Sequence, residues 1–375
     1  MDRYRVLYVV GRRAVTSVPL EVARHLDLSQ FEVTIVSCFP SGAGSEDAAG
    51  SIPVIELGAR SKYDVRAWCA LYYLIQQHRP HILHVHHTLP AVLGCLCGRL
   101  LNVPAIVNSR HHDQAELGLG RSFLELITLA LSDLIVCNSN YTCSSFRLWE
   151  RRLAGHKCLI VYNGVDIQRI DRSFVEPARI RAQLGIRADD FVIGHVGRQV
   201  REKDQETLIR ALAILLDNGL AATLVVVGAG PLQARLLSLA SSLGLQERVV
   251  FTGEVARQRV YEILPALDLF VISSTTEGFG NAVVEAMAAR RPVVVTHAGA
   301  LPEIVGEAGR LVPPRSPAAL AAAILELAQH SPVALAALGE AGRNRVETCY
   351  TIQRTGAAYS RLYGRMLHQK GIVAG

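Results

Sequence analysis

Two carboxylates with seven residues between them frame the most chemically loaded stretch of the chain. It reads Ser274-Thr275-Thr276-Glu277-Gly278-Phe279-Gly280-Asn281 and runs into a helical pattern carrying Glu285. Gly278 and Gly280 let the backbone approach a ligand closely and adopt positive φ. Asn281 suits the N-cap of a helix over 282–289, which leaves the first backbone N–H groups pointing outwards, as an anion requires. Eight positions at about 100° each bring Glu285 within about 80° of the face of Glu277. One acid can then meet the outer part of a ligand and the other a deeper hydroxyl. Taken alone, the same residues also fit a glycine-rich turn with two solvated acids.

A second cluster, Gly197-Arg198-Gln199-Val200-Arg201-Glu202-Lys203-Asp204, follows an apolar run at 192–196. Arg198 offers a planar fork and Lys203 a point charge, and together they can neutralise a diphosphate without a metal. Lys203 stands out because lysine supplies only four of the 39 basic residues. A solvated basic loop is the alternative. Val227-Gly228-Ala229-Gly230-Pro231 looks at first like a dinucleotide fingerprint, but the third glycine of G-x-G-x-x-G would fall on Gln233. Gly11 is followed by Arg12 and Arg13, so no such spacing exists there either, and a nicotinamide enzyme is weakly supported. His84, His86, His87, His111 and His112 gather near strand ends of the first part. A His-x-His strand can open a metal-hydrolase site, but only with further ligands from other strands. His112, beside Asp113, could instead orient a sugar hydroxyl or the reacting centre.

These residues sit where short β-branched runs end. Strands are predicted over 6–10, 33–38, 82–86, 106–109, 134–138 and 159–162, then over 192–196, 223–227, 249–252, 269–273, 293–296 and 311–313. Helical patterns intervene at 18–28, 65–78, 208–216, 232–243 and 282–289. Nearly continuous apolar strands separated by helices indicate parallel sheets covered on both faces, and two such series imply two doubly wound domains. Ligands of open α/β sheets bind beyond the carboxyl ends of the strands, where both charged clusters fall. The seam lies at Asn163-Gly164-Val165-Asp166, giving domains over 1–165 and 166–350, with a closing helical stretch over 351–375.

With 375 residues, half of them apolar, and a net charge of +6, wholesale disorder is excluded. The first 165 residues hold 16 basic and 13 acidic side chains, and the remainder is balanced alike. No basic block of the kind a nucleic-acid binder concentrates is present. No run approaches the roughly 18 apolar residues of a membrane span, and the first apolar run is too short for a signal-peptide core. The eight cysteines lack Cys-x-x-Cys spacing and are expected to be small buried thiols of a reducing cytosol.

Glu277-Gly278-Phe279-Gly280-Asn281 through Glu285-Ala286-Met287-Ala288 resembles the two-glutamate motif of the retaining GT-B glycosyltransferases, family four (glycosyl transferases group 1). Gly197-Arg198 with Lys203, Gly228-Ala229-Gly230-Pro231, Asn163-Gly164-Val165-Asp166 and the closing 350–367 stretch fit the same pattern. The resemblance spans essentially the whole chain and is strongest over 160–305. It implies an α/β GT-B fold, with two Rossmann-like domains facing a cleft and a C-terminal helix crossing back to the first. It also implies a nucleotide-sugar donor held mainly by the second domain and an acceptor held mainly by the first. Arg198 and Lys203 would contact the diphosphate, Glu285 the ribose and Glu277 the transferred sugar. Backbone at Gly278, Phe279, Gly280 and Asn281 would meet sugar and phosphate, with Gly228 lining the donor site. Val255 would edge the nucleobase, the Gly11 loop would close over the phosphates, and His112 would face the sugar. Two positions depart from the family pattern: arginines follow Gly11, and Gly299-Ala300 stands where paired glycines are common before Pro-Glu.

The chemistry agrees. A nucleoside diphosphate is a good leaving group, so the departing oxygen needs charge stabilisation more than a proton, and cations with a helix N-terminus can supply it in place of a metal. The expectation is therefore a cytoplasmic, metal-independent retaining transferase with no cofactor, the nucleotide-sugar being a substrate. Its acceptor is a glycan, lipid-linked or small-molecule hydroxyl. A lipid-linked acceptor would bring a peripheral contact with the inner face of the membrane, although the apolar stretch 93–101 reads better as a core helix. The alternatives are an epimerase or phosphorylase of the same fold, or a non-catalytic nucleotide-sugar-binding protein.

Overall fold

The apolar runs form strands because they are short, rich in valine and isoleucine, and closed by glycine or polar residues that cannot extend the ladder. The structure, a computed structural model, describes residues 3–12, 18–40, 52–111 and 119–373. These divide into two compact units, Met1–Gly164 with Ile352–Gly375, and Val165–Thr351.

The first unit holds a parallel sheet of β1 (Tyr4–Arg12), β2 (Phe31–Phe39), β3 (Val54–Glu56), β4 (Ile82–His86), β5 (Ala105–Arg110), β6 (Leu134–Cys137) and β7 (Cys158–Ile160). The spatial order is β3-β2-β1-β4-β5-β6-β7, so chain order reverses between β1 and β4. β3 escaped the sequence reading because it is only three residues long, half-buried to exposed, and lies at the sheet edge. The second unit holds β8 (Phe191–Val196), β9 (Ala222–Val227), β10 (Val249–Gly253), β11 (Leu269–Ile272), β12 (Val293–Thr296) and β13 (Arg310–Val312), in the order β10-β9-β8-β11-β12-β13. Its reversal falls between β8 and β11, which pair in parallel through Leu269 with Ile193 and Phe270 with Gly194. Each unit is a doubly wound, Rossmann-like α/β fold.

The stretch 93–101 belongs to the helix Thr88–Leu100, which buries Ala91, Val92, Cys95 and two glycines and leaves Leu96 and Leu100 exposed. Among the described residues no single helix is long and apolar enough to cross a membrane. The cysteines are less uniform than expected. Cys38, Cys95 and Cys137 are buried, Cys69 is exposed on the outer face of the helix Val65–His78, and the rest are half-buried. No disulfide joins them.

The C-terminal helix Ile352–Gln369 belongs to the first unit. It buries Ile352, Thr355, Tyr359, Leu362, Tyr363 and Met366, the three-and-four spacing of one helical face. Its tyrosines enter a buried polar chain: Tyr8 Oη lies 2.9 Å from Tyr363 Oη, which lies 2.6 Å from His84 Nδ1. His84 Nε2 lies 2.7 Å from Ser109 Oγ, and Ser109 Oγ lies 3.2 Å from Tyr359 Oη. Burial pushes the His84 pKa down to about 3 and the Tyr359 pKa up to about 12, so the chain is neutral at physiological pH. His86, next along the same strand face, is likewise driven well below the usual histidine range, first by burial and then by His84, His111 and His87.

Acidification therefore weakens this unit. Below about pH 6.5 the unfolded chain takes up protons that His84 and His86 refuse until much lower pH, and stability present at neutral pH is lost as pH falls. The slope approaches about 1.4 kcal/mol per pH unit for each histidine. Denaturant midpoints at about pH 7.5 and 5.5, above the range where ordinary carboxylates titrate, measure it. A midpoint that does not fall on acidification would contradict the account.

Candidate active site

β8 ends in Gly197-Arg198, and the loop beyond it is held from below. His195, fully buried on β8, donates from Nδ1 to the Val271 carbonyl on β11 (3.0 Å) and accepts at Nε2 from Gln205 (3.2 Å). Gln205 Nε2 also donates to the Arg198 carbonyl (2.9 Å), so one buried amide ties strand, loop and following helix together. Burial lowers the His195 pKa to about 4, with nearby Lys203 adding to the effect, which keeps the imidazole a neutral acceptor. Gln199, also fully buried, donates to the Gly228 carbonyl (2.9 Å). A Cβ on Gly228, whose φ is +123°, would stand 2.4 Å from the Gly197 carbonyl oxygen. Gly228 thus lets the loop after β9 lie directly on the loop after β8. That is a role between loops, not yet a contact with a ligand.

Arg198 is exposed, and among the described residues its side chain makes no hydrogen bond or ion pair. Lys203, read as a point charge suited to a diphosphate, forms an ion pair with Glu277 Oε1. Ser274 Oγ donates to the same carboxylate oxygen at 2.9 Å. The two loops are stitched together by Ser273 Oγ donating to the Lys203 carbonyl (2.9 Å) and by Thr275 N–H donating to the Glu202 carbonyl (2.8 Å). The backbone of Glu277 is clamped from the other side. Ala300 N–H donates to its carbonyl at 2.8 Å, and Gly299, at φ +58°, sits so close that a Cβ would fall 2.1 Å from that oxygen and 2.5 Å from its nitrogen. Glycine is needed at 299 on both counts, whereas Ala300 has φ −82° and tolerates a side chain.

Gly280, not Asn281, holds the cap position of the helix Asn281–Ala288; it adopts φ +89°, and Asn281 is the first helical residue. The sequence reading placed the start one residue late because an asparagine side chain is the usual capping group, while here a left-handed glycine makes the turn. Phe279 is buried with its ring edge-on to Tyr350, 5.7 Å between centroids. Glu285 is 2% exposed and pairs through Oε1 with Arg257, at the start of the helix Arg257–Ile263. Arg257 also donates from Nε to Tyr261 Oη at 3.0 Å. The two acids therefore carry separate cations, Lys203 for Glu277 and Arg257 for Glu285. Val255 is half-buried in the loop before Arg257. Sequence reasoning missed Arg257, Gln199, His195 and Gln205. The run Val255-Ala256-Arg257 marks a loop, but nothing local tells which acid the arginine meets.

In the first unit Gly11 N–H donates to His87 Nδ1 at 3.2 Å, and His87 itself adopts φ +64°. His86 stacks on His111, their ring planes 7° apart and Nδ1 3.3 Å from the partner's Nε2. Arg110 and Glu125 form a buried ion pair, with Arg110 also donating to Thr128 Oγ1 (2.8 Å) and Thr88 Oγ1 donating to Glu125 (3.0 Å). With His87, His111 and Asn108 they line a cavity of about 20 Å³, room for a water. His112 lies outside the described residues.

Two family models cover most of the chain. The glycosyltransferase family 4 model matches residues 15–169, and the model for glycosyl transferases group 1 matches 177–345. The chain belongs to the GT-B glycosyltransferases of family four. Within that family it is 36% identical over 183 residues to an uncharacterized glycosyltransferase of Methanocaldococcus jannaschii, covering 48% of this chain and 45% of that one. It is 28% identical over 378 residues to the D-inositol 3-phosphate glycosyltransferase of Streptomyces avermitilis, covering 94% and 76%. The chain thus spans less than half the length of the archaeal relative. Among solved structures, HepE of Anabaena in complex with UDP and glucose superposes with a TM-score of 0.83 at 20% identity, over 96% of this chain and all of that one, a likeness of fold.

Gly299→Ala should displace Glu277 and cost about 1–3 kcal/mol of stability through overpacking. Ala300→Gly should cost well under half of that. Denaturant titration of the two variants compares them, and equal losses would remove Gly299 from its place behind Glu277.

Proposed function

We propose that the chain is a retaining glycosyltransferase that moves a sugar from a nucleoside-diphosphate donor to a hydroxyl acceptor without a metal. The observation that carries the reading is the meeting, at the β8/β11 reversal, of the Lys203–Glu277 pair with the glycine-capped helix Asn281–Ala288. In the reaction the bond from the anomeric carbon to the diphosphate oxygen breaks, and its electron pair leaves with the diphosphate. Lys203, the exposed Arg198 and the helix N-terminus are suited to receive that charge. The acceptor hydroxyl bonds to the anomeric carbon and passes its proton to the departing diphosphate oxygen. Glu277, paired with Lys203, accepts hydrogen bonds from sugar hydroxyls and orients the ring. It is not assigned as a nucleophile. Glu285 is suited to the hydroxyls of the nucleotide ribose, and Val255 to the edge of the base.

Calorimetric titration with UDP, GDP and ADP in the absence of metal tests the donor side. HepE was solved with UDP, which makes that nucleotide the first to try. One nucleotide should bind, and Glu285→Ala should weaken it by roughly ten- to 150-fold, the worth of a charge-assisted hydrogen bond of about 1.5–3 kcal/mol. Lys203→Ala should lower turnover by about tenfold or more, by the same reasoning. Free nucleoside diphosphate appearing only when acceptor is added separates transfer from epimerisation. Unchanged binding and turnover in both variants would overturn the site assignment.

The acceptor reading extends to lipid-linked glycans and hence to peripheral contact with the inner face of a membrane. What supports it is the helix Leu148–Ala154, which buries Glu150 and Ala154 and turns Leu148, Trp149 and Leu153 to the outside, with Arg152 on the same face. Trp, Leu and Arg on one exposed face match an interfacial helix on anionic lipid. Sedimentation with anionic vesicles should carry the protein down, and Leu148→Glu with Trp149→Glu should leave it in solution. Equal sedimentation of the variant would remove this surface from the account.

A further inference from the structure

Three cysteines that no sequence spacing connects meet in the first unit. Cys137, Cys143 and Cys158 have five and fourteen residues between them. In space their Sγ atoms all lie within 4.8 Å of one another. The topology forces this meeting. β6 and β7 pair in parallel with Ile135 opposite Cys158, and Cys137 stands two residues beyond Ile135, so both thiols project from the same sheet face. The chain then turns straight back. Ser139 Oγ caps the helix Asn140–Ser144 by accepting from Thr142 N–H at 3.0 Å, and Thr142 Oγ1 donates to Asn138 at 2.9 Å. That turn delivers Cys143 to the other two.

From this geometry we infer that Cys137, Cys143 and Cys158 form a binding site for a thiophilic d10 cation of the zinc class, held by three thiolates with its fourth position open to water. Tetrahedral zinc–thiolate sites have Zn–S distances of about 2.3 Å, which places the sulfurs roughly 3.8 Å apart. A trio already within 4.8 Å reaches that spacing by small side-chain rotations. Thiolates select soft ions over magnesium or calcium. Leu129, Ile135, Phe146 and Ala154 wall the site with apolar surface, while the half-buried Cys143 and Cys158 leave it a way in. Arg151 packs against the same corner, donating to the Phe146 carbonyl at 2.9 Å, and Lys157 precedes Cys158, so the net negative charge of a trithiolate–zinc unit has cations nearby. The alternative is that the three thiols pack simply as small apolar groups. The proposed site lies in the first unit, among residues the transfer chemistry does not use, and it stands independently of that reading.

Titration of the reduced full chain with cobalt(II), as a spectroscopic stand-in for zinc, decides the matter. One cobalt should bind per chain with thiolate-to-metal charge-transfer absorption and the intense visible bands of four-coordinate cobalt, and zinc should displace it. Cys143→Ser and Cys158→Ser should each weaken binding by about tenfold or more and dim the charge-transfer band. Cys69→Ser, on the exposed face of another helix, should change neither. Zinc should also raise the thermal midpoint of the wild type and not that of Cys143→Ser, which reads the site without relying on the more deeply buried Cys137. Absence of thiolate charge transfer in the wild type, or full retention of it in both Cys143→Ser and Cys158→Ser, would overturn the proposal.

Discussion

The parallel pairing of β8 with β11 is the constraint on which the candidate site depends. Both strands run the same way and are neighbours although three helices and two strands separate them along the chain, so their following loops must emerge together at one sheet edge. That single register brings Lys203 to Glu277. Everything else around them serves to keep the two loops from drifting. His195 bonds across the strands, Gln205 holds the Arg198 carbonyl, and Ser273 and Thr275 bond the loop carrying Lys203. A slip of one residue in this pairing would turn the side chains of the slipped strand, His195 on β8 among them, to the opposite face.

Neutral polar groups pin the two loops beyond β8 and β11. The side chains that pin the loops, His195, Gln199 and Gln205, are fully buried and uncharged. Their donors are matched although the Gln199 and Gln205 amide oxygens have no partner among the described residues, and an unpaired buried charge in the same place would cost more, several kcal/mol. The charged groups stand at the edge, with Arg198 exposed and the Lys203–Glu277 pair partly so. In the first unit the tyrosines of the C-terminal helix and His84 form a neutral buried chain between β1, β4 and β5, while Arg110 and Glu125 form a buried ion pair.

How much of this was legible in the sequence follows from the range of each interaction. Strands such as β9 and β12 are short, nearly continuous apolar runs rich in valine, and the glycines and acids beyond β11 fall within one short stretch, so fold class and the two glutamates could be read from local pattern. β3 could not, being too short for any period to show. Asn281 misled because its composition argues for a cap that backbone geometry gives to Gly280. The partners of the acids were out of reach for a different reason. Lys203 lies 74 residues from Glu277, and Arg257 opens the helix after β10 whereas Glu285 lies on the helix after β11, so only tertiary structure pairs them. The cysteine trio is the extreme case: no spacing rule anticipates it, because a strand register and a capped turn create it.

The Arg257–Glu285 pair bears directly on how a donor would be held. A carboxylate buried in an otherwise apolar stretch, Val283 to Ala288, cannot stay ionised alone, and removing the cation from such a pair costs roughly 3–5 kcal/mol. A ligand hydroxyl bonded to a carboxylate returns only about 1.5–3 kcal/mol, so a ribose that displaced Arg257 would bind at a net loss. The pair uses Oε1, and Oε2 makes no hydrogen bond among the described residues. On the proposed reading, ribose hydroxyls therefore add to Oε2 while Arg257 stays in place, and the arginine becomes part of the wall against which the nucleotide is measured. Anchored by Tyr261 and standing two residues after Val255, it would bring a fixed positive charge to the side where the base and the first phosphate must lie. On that reading Arg257 would contribute to nucleotide affinity in its own right, and its pairing with Glu285 accounts for how deeply that carboxylate is buried.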